Sequence, residues 1–326
     1  MRTAIPLAVL FTTLACSFAS APAHARARVF VASYGNDMNP CTFGSPCKTF
    51  QVAVNAVDAG GEVTAIDSAG FGPISINKAV TITSPDGVEA GIVANAGADA
   101  IDINAGPSDA IVLRGLTLDG AGTAHNGIVF SAGGSLTVTN CTLQNFAFDG
   151  SNLPTGNGIL MQPTAGTLAF TITNTTASNN GGTGILFLTS SGGSPSVNGV
   201  IDHVVADANH FDGVSVDSRF TTGGAIVVTV SDSIASNNGS QGIFAGNGSA
   251  TLKVSLDNVT VGGNFFGIVA STPANVLLGR SVITGNGTGV QNSTSPTNTF
   301  YSYGDNRINL NGTDGYSSLN TTFITH

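Results

Sequence analysis

Asn126-Gly127-Ile128, Asn157-Gly158-Ile159, Thr183-Gly184-Ile185, Asp212-Gly213-Val214, Gln241-Gly242-Ile243, Phe266-Gly267-Ile268 and Thr288-Gly289-Val290 are one phrase repeated along the chain, a mostly polar residue followed by glycine and a β-branched aliphatic. Successive aliphatic positions lie 31, 26, 29, 29, 25 and 22 residues apart. Such a period predicts a solenoid, in which each repeat is one supersecondary unit that buries its apolar face against the next.

Working outward from the phrase, each repeat also holds a stretch that alternates apolar and polar residues. Leu136-Thr137-Val138-Thr139, Phe170-Thr171-Ile172-Thr173, Ile226 to Val230 and Leu252 to Leu256 are examples. Alternation at period two is the pattern of a half-buried strand. Asn/Gly clusters then turn the chain back to the next Gly-Ile phrase. Short strands, Asn/Gly bends and no helical period predict an all-β chain: a right-handed parallel β-helix of about nine coils. Ile128, Ile159, Ile185, Val214, Ile243, Ile268 and Val290 form one expected inward column, and Phe130, Met161, Phe187, Val216, Ala245 and Ala270 a second.

Composition agrees with this reading. Of 326 residues, 41% are hydrophobic and only 9% charged, with 43 glycines. The regularly spaced aliphatics supply a core and exclude disorder. Met1-Arg2, an apolar run from Ala4 to Phe18 and Ala23-His24-Ala25 read as a secretory signal over residues 1–25, with mature protein from Arg26 in the periplasm or outside the cell. Cys16 leaves a lipoprotein reading open. No other stretch is long and apolar enough to span a bilayer. Residues 26–60 are expected to form a first strand, a cysteine loop and a short capping helix near 48–58; 61–310 the solenoid; and 311–326 a C-terminal tail or cap. Without residues 1–25 the chain has 9 basic against 19 acidic residues, the basic ones scattered singly, which argues against a nucleic-acid partner. Cys41 and Cys47 bracket a short loop that a disulfide would close in an oxidising compartment. Cys141, left without a partner, reads as a small buried side chain.

Residues 28 to about 310 resemble the right-handed parallel β-helix, or pectate-lyase-like, superfamily. The opening resembles secreted bacterial β-helix repeat proteins of unassigned function through Asn39-Pro40-Cys41, Pro46-Cys47-Lys48-Thr49-Phe50, Gly60-Gly61-Glu62 and Gly70-Phe71-Gly72. The resemblance implies fold and not chemistry. The Trp-x-Asp-His stretch of pectate lyases is absent, as the chain has no Trp. The Asn-Thr-Asp, Gly-His-Gly and Arg-Ile-Lys motifs of polygalacturonases and the Asp-Phe-Ile-Phe-Gly of pectinesterases are absent too, so no family active site transfers.

Alignment of the coils by sequence puts Arg114, Asn140, Asn174, Asp202, Asp232, Asp257 and Arg280 in one column. Neighbouring carboxylates about 4.8 Å apart would repel by roughly 3.5 kcal/mol at an effective dielectric near 20. Asp202, Asp232 and Asp257 are therefore candidate calcium ligands and candidate catalytic carboxylates, with Arg280 and Arg219 as the nearby basic side chains. Charge is densest at Asp202-His203, Asp207, His210, Asp212, Asp217 and Arg219; a zinc site from His203, His210 and Asp212 is disfavoured by its spacing. Long turns at Thr189–Asn198 and Asp217–Gly224 could wall a cleft. The Asn-rich bends read as a ladder of stacked amides. Tyr301, Tyr303 and Tyr316, crowded at the C-terminus with Phe300, read as an aromatic plug closing the last coil or as a sugar-stacking platform. The expected function is a secreted, non-catalytic β-helix protein that binds a polysaccharide or cell-surface glycan; the alternative is a uronate lyase or glycoside hydrolase built on the Asp202/Asp232/Asp257 column.

Overall fold

The Gly-Ile phrase works because the coils stack closely. In a computed structural model, which describes residues 26–151, 154–246, 248, 250–292 and 299–315, Ile128, Ile159, Ile185, Val214, Ile243, Ile268 and Val290 are laddered in order. Each of them is at most 2% exposed. The second column, Phe130 to Ala270, is also in register and tapers as the sequence does. The glycine is required by the stacking: a Cβ on Gly184 would meet the Gly213 carbonyl oxygen at 2.7 Å. Any side chain there would push adjacent coils apart, which a close-packed core does not tolerate.

The strands form three parallel sheets running along the solenoid, of 11, 10 and 10 strands among the described residues. Sheet I runs from Arg28–Val31 to Thr299–Ser302, sheet II from Ala69–Gly70 to Arg307–Ile308, and sheet III from Ile74–Ile76 to Thr313–Gly315. Every coil visits sheets I, II and III in that order, giving ten coils behind the first strand, in line with the nine or so expected. The fold is an all-β parallel β-helix. A single continuous apolar core fills its interior.

The seven-residue helix Phe50–Ala56 (α1) packs on Arg28–Val31, Gly61–Ala65 and Ile74–Ile76. Thr49 is its N-cap and accepts a hydrogen bond from the Val52 N–H, so an otherwise orphaned donor of the first turn is satisfied. Phe50, Ala53 and Val54 are buried, with the Phe50 ring 4.9 Å from that of Phe71. Cys41 and Cys47 are disulfide-bonded with Cα atoms 4.6 Å apart, which fixes the loop leading into α1. Residues 1–25, Cys16 among them, and Tyr316 lie outside the described residues. Among the described residues no helix is long and apolar enough to cross a membrane.

The amide ladder runs along the bend into sheet III. Asn180, Asn209, Asn238, Asn264, Asn286 and Asn311 each pass a side-chain N–H to the next Oδ1 at 2.9–3.0 Å, and Asn311 ends on Asp314 at 3.0 Å. Buried amides are affordable there because each is satisfied by the coil above and the coil below.

Candidate functional site

Two places gather charged side chains. The first is the tight bend from sheet I to sheet II. Here the backbone takes the left-handed conformation at Gly115, Asn140, Asn174, His203, Asp232, Asn258 and Arg280. Asn, Asp and His tolerate that geometry better than most residues. The position before it carries Arg114, Thr139, Thr173, Asp202, Ser231, Asp257 and Gly279, laddered in that order.

The three aspartates therefore do not stack in one column as expected. Asp202 and Asp257 share the strand-end position, with Ser231 between them, roughly 9–10 Å apart at two coil spacings. Asp232 sits one residue later, in the bend position with His203 and Arg280. Ladder register, fixed by the buried residues of the strand, differs by one residue at Asp232 from the coil alignment made by sequence.

The slip regroups the chemistry. Asp202 accepts from Ser231 Oγ at 2.6 Å and contacts His203 Nδ1 at 2.7 Å. These bonds, Ser231 first, hold its carboxyl below the ordinary range, and Asp202 in turn raises the His203 imidazole. One donor atom each from Asp202, His203 and Asp232 lie within 4.8 Å of one another, a set that could hold a metal ion. Asp257 is instead clamped by the Arg280 guanidinium, with Nε at 2.8 Å from Oδ1, and that bond lowers its pKa.

The second place is a cleft of about 400 Å³ over the outer face of sheet III. Leu186 and Ser215 point outward from the strands Ile185–Leu188 and Val214–Asp217 and form its floor with Ser240 and Gln241. The long bend before Ile159 supplies Phe148, Pro154 and Thr155, and Phe211 and Asp212 precede a Gly-Val phrase. The turn after Asp217 supplies Arg219 and Phe220. Phe148 and Phe211 meet edge to face with ring centres 5.2 Å apart. Of the two turns expected to wall a cleft, the one starting at Asp217 does so; Thr189, in the other, is buried against the Thr221 hydroxyl at 2.5 Å.

Asp212 is half-buried and accepts the Gln241 N–H at 3.0 Å. Burial, with a further contribution from Asp217, pushes its carboxyl above the usual range. Asp217 is 2% exposed and fully engaged by Arg219, whose backbone N–H donates to Oδ1 at 2.9 Å and whose Nε donates to Oδ2 at 2.7 Å. A smaller compartment of about 180 Å³, lined by Asp99, His125, Val129 and Leu160, shares Pro154 and Thr155 with the cleft. His125 Nε2 is 3.5 Å from Asp149 there.

Among the described residues, His203, His210 and Asp212 are not a group whose donor atoms converge. Of the aromatic group expected to plug the last coil, Phe300 is fully buried and laddered to Val276, and Tyr316 lies outside the described residues. Tyr301 lines a separate apolar hollow of about 220 Å³ on sheet I with Val227 and Lys253, and Tyr303 is 54% exposed. The sequence reading picked out Arg219, Asp212 and Asp217 by charge but missed the rings of Phe148, Phe211 and Phe220. The 31-residue spacing between Ile128 and Ile159, the longest in the series, was the available signal that an extra segment leaves the coil there.

No family model matches the chain, and no curated protein matches it. Among solved structures it is similar to the pectate lyase Pel9A, at 18% identity and a TM-score of 0.44, over 89% of this chain and 74% of that one. It is also similar to the GH136 lacto-N-biosidase from Eubacterium ramulus, at 12% identity and a TM-score of 0.34, over 89% of this chain and 66% of that one. Likeness at this level concerns the course of the chain, and no residue is carried over from either enzyme.

Proposed function

We propose that this is a secreted β-helix protein that binds a polysaccharide or cell-surface glycan in the cleft over sheet III without cleaving it. The observation that carries the reading is the pairing of rings with a polar floor. Phe148, Phe211 and Phe220 are 40%, 37% and 44% exposed and gather at one cleft rimmed by polar groups, and such a patch marks a ligand-binding groove. Sugar rings offer C–H surface to aromatic faces and hydroxyls to carboxylates, amides and serines, and Asp212, Ser215, Ser240 and Gln241 supply the latter. Binding is favoured over cleavage because glycoside hydrolysis uses two working carboxylates, and Asp217 is sequestered by Arg219. Isothermal titration against a panel of oligosaccharides tests it. Phe211→Ala and Phe220→Ala should each weaken binding by about tenfold or more. Failure of every glycan to bind, or unchanged affinity in both variants, would overturn the proposal.

A second reading places a metal ion on the sheet I–II bend, held by Asp202, His203 and Asp232 and not by the expected Asp202, Asp232 and Asp257; with an imidazole nitrogen in the set, zinc suits it better than the calcium first expected. It is favoured by the convergence of Asp202, His203 and Asp232. Uronate elimination there is less favoured, because Arg280 is held protonated by Asp257, and Arg219, the other basic side chain expected nearby, lies instead in the sheet III cleft paired with Asp217. Calorimetric titration with zinc, and with calcium for comparison, should show a zinc signal that Asp232→Asn removes; flat traces with both ions would discard the site.

A further inference from the structure

Resting on the glycan-binding reading of the sheet III cleft, we infer that the bound glycan carries free amino groups, with an ammonium held between Asp212 and the rings of Phe148, Phe211 and Phe220. The charges lining the cleft are Asp212, Asp217 and Arg219, so one carboxylate is left over when all three are ionised. Because Asp217 and Arg219 neutralise each other, the unmatched charge is Asp212. The adjoining compartment repeats the imbalance, with Asp99 and the nearby Asp149 facing His125. A uronate would bring a further negative charge to this surface, and desolvating it beside Asp212 would be costly.

An ammonium has the opposite effect. It would add a charged donor to the neutral ones that the half-buried Asp212 already has in the Gln241 N–H, Ser215 and Ser240, and offset its repulsion with Asp217. Phenyl rings attract cations through the negative charge on their faces, and exposed phenylalanines beside a carboxylate form a site for an alkylammonium that a neutral hydroxyl does not need. The chain's net charge of −9 would also raise the local concentration of a cationic oligosaccharide.

The test is calorimetric titration of the full-length mature protein at about pH 6 with three short probes: glucosamine oligomers, their fully N-acetylated counterparts and oligogalacturonate. The glucosamine oligomer should bind about tenfold tighter than the N-acetylated one, with oligogalacturonate weakest. Asp212→Asn, which keeps an acceptor for the Gln241 N–H, should bring the ratio of the first two affinities close to one. Added salt should weaken glucosamine binding selectively in wild type, a comparison that needs no variant. Binding without preference for the amine, or preference for the uronate, overturns this inference and leaves the glycan-binding reading standing; binding of no probe overturns both.

Discussion

Asn209 donates its side-chain N–H to Oδ1 of Asn238, one coil on, at 3.0 Å, and both residues are 2% exposed. The same Oδ1 accepts the Asn209 backbone N–H at 3.1 Å, and Asn238 Nδ2 reaches back to the Ala206 carbonyl at 3.1 Å. One side chain therefore satisfies buried groups on both of its neighbours. Asn238→Ala would strand the two Asn209 donors and remove the side-chain donor to the Ala206 carbonyl, while Asn264 Oδ1 keeps the residue-238 backbone N–H, at a cost of about 2–4 kcal/mol. Urea denaturation checks this, and a loss under 0.5 kcal/mol would mean that water enters and replaces the amide.

The inward column gives a second expectation. Ile185 and Ile243 are 1% and 2% exposed and are laddered through Val214. Ile243→Ala should cost about 2–5 kcal/mol through lost burial and a residual cavity. Ile185→Asp or Ile243→Asp should abolish folding, because a carboxylate there has no partner. Circular dichroism melts decide the matter, and a wild-type melting curve for either aspartate variant would show the column misplaced.

The fold was legible in the sequence because a solenoid repeats one decision in every coil. Seven aliphatics after seven glycines expose the period even though each coil is degenerate on its own. The amide ladder was legible for the same reason. The chemistry was not, since a one-residue slip moved Asp232 out of line with Asp202 and Asp257, and sequence spacing at a polar bend does not resolve one residue. Phe148 and Phe220 come from segments that leave the repeat, where periodicity says nothing about which face they reach.

Cysteine accessibility provides a third test. The Cys41–Cys47 bond should leave no thiol to alkylate there, and Cys141, 2% exposed, has its thiol pushed up to about 11 by burial. Native mature protein should take up no alkylating reagent, and denatured, unreduced protein one equivalent. Two further equivalents without reductant would show the loop open. Reduction should cost on the order of 2 kcal/mol or less, since the loop spans six residues.

The Asp202–His203 pair should show in a titration. Asp202 raises the His203 imidazole above its ordinary value of about 6.5. A raised histidine contributes its stability in full below the unfolded value and loses it as pH rises through the folded one. NMR titration should find the His203 midpoint above the ordinary value in wild type and lowered in Asp202→Asn, with Asp232 still contributing. A midpoint unmoved by that substitution would separate the two side chains in solution.

Asp212 gives a pH dependence of opposite origin. Burial raises its carboxyl, with Asp217 adding to the effect, so the folded protein binds this proton more tightly than the unfolded chain. Stability from this group is fully present below the ordinary carboxylate value, falls as pH rises through the window up to the folded value, and stays at its lower level above it. Asp212→Asn removes the ionisation while keeping an acceptor for the Gln241 N–H. The variant should therefore be more stable than wild type at neutral pH, with the difference shrinking as pH falls into the carboxylate range. Urea midpoints measured at about pH 7 and about pH 4 provide the comparison. If the variant is less stable at neutral pH and the gap does not change with pH, Asp212 is held in the fold as a satisfied carboxylate, and the strain that an ammonium ligand would relieve is not there.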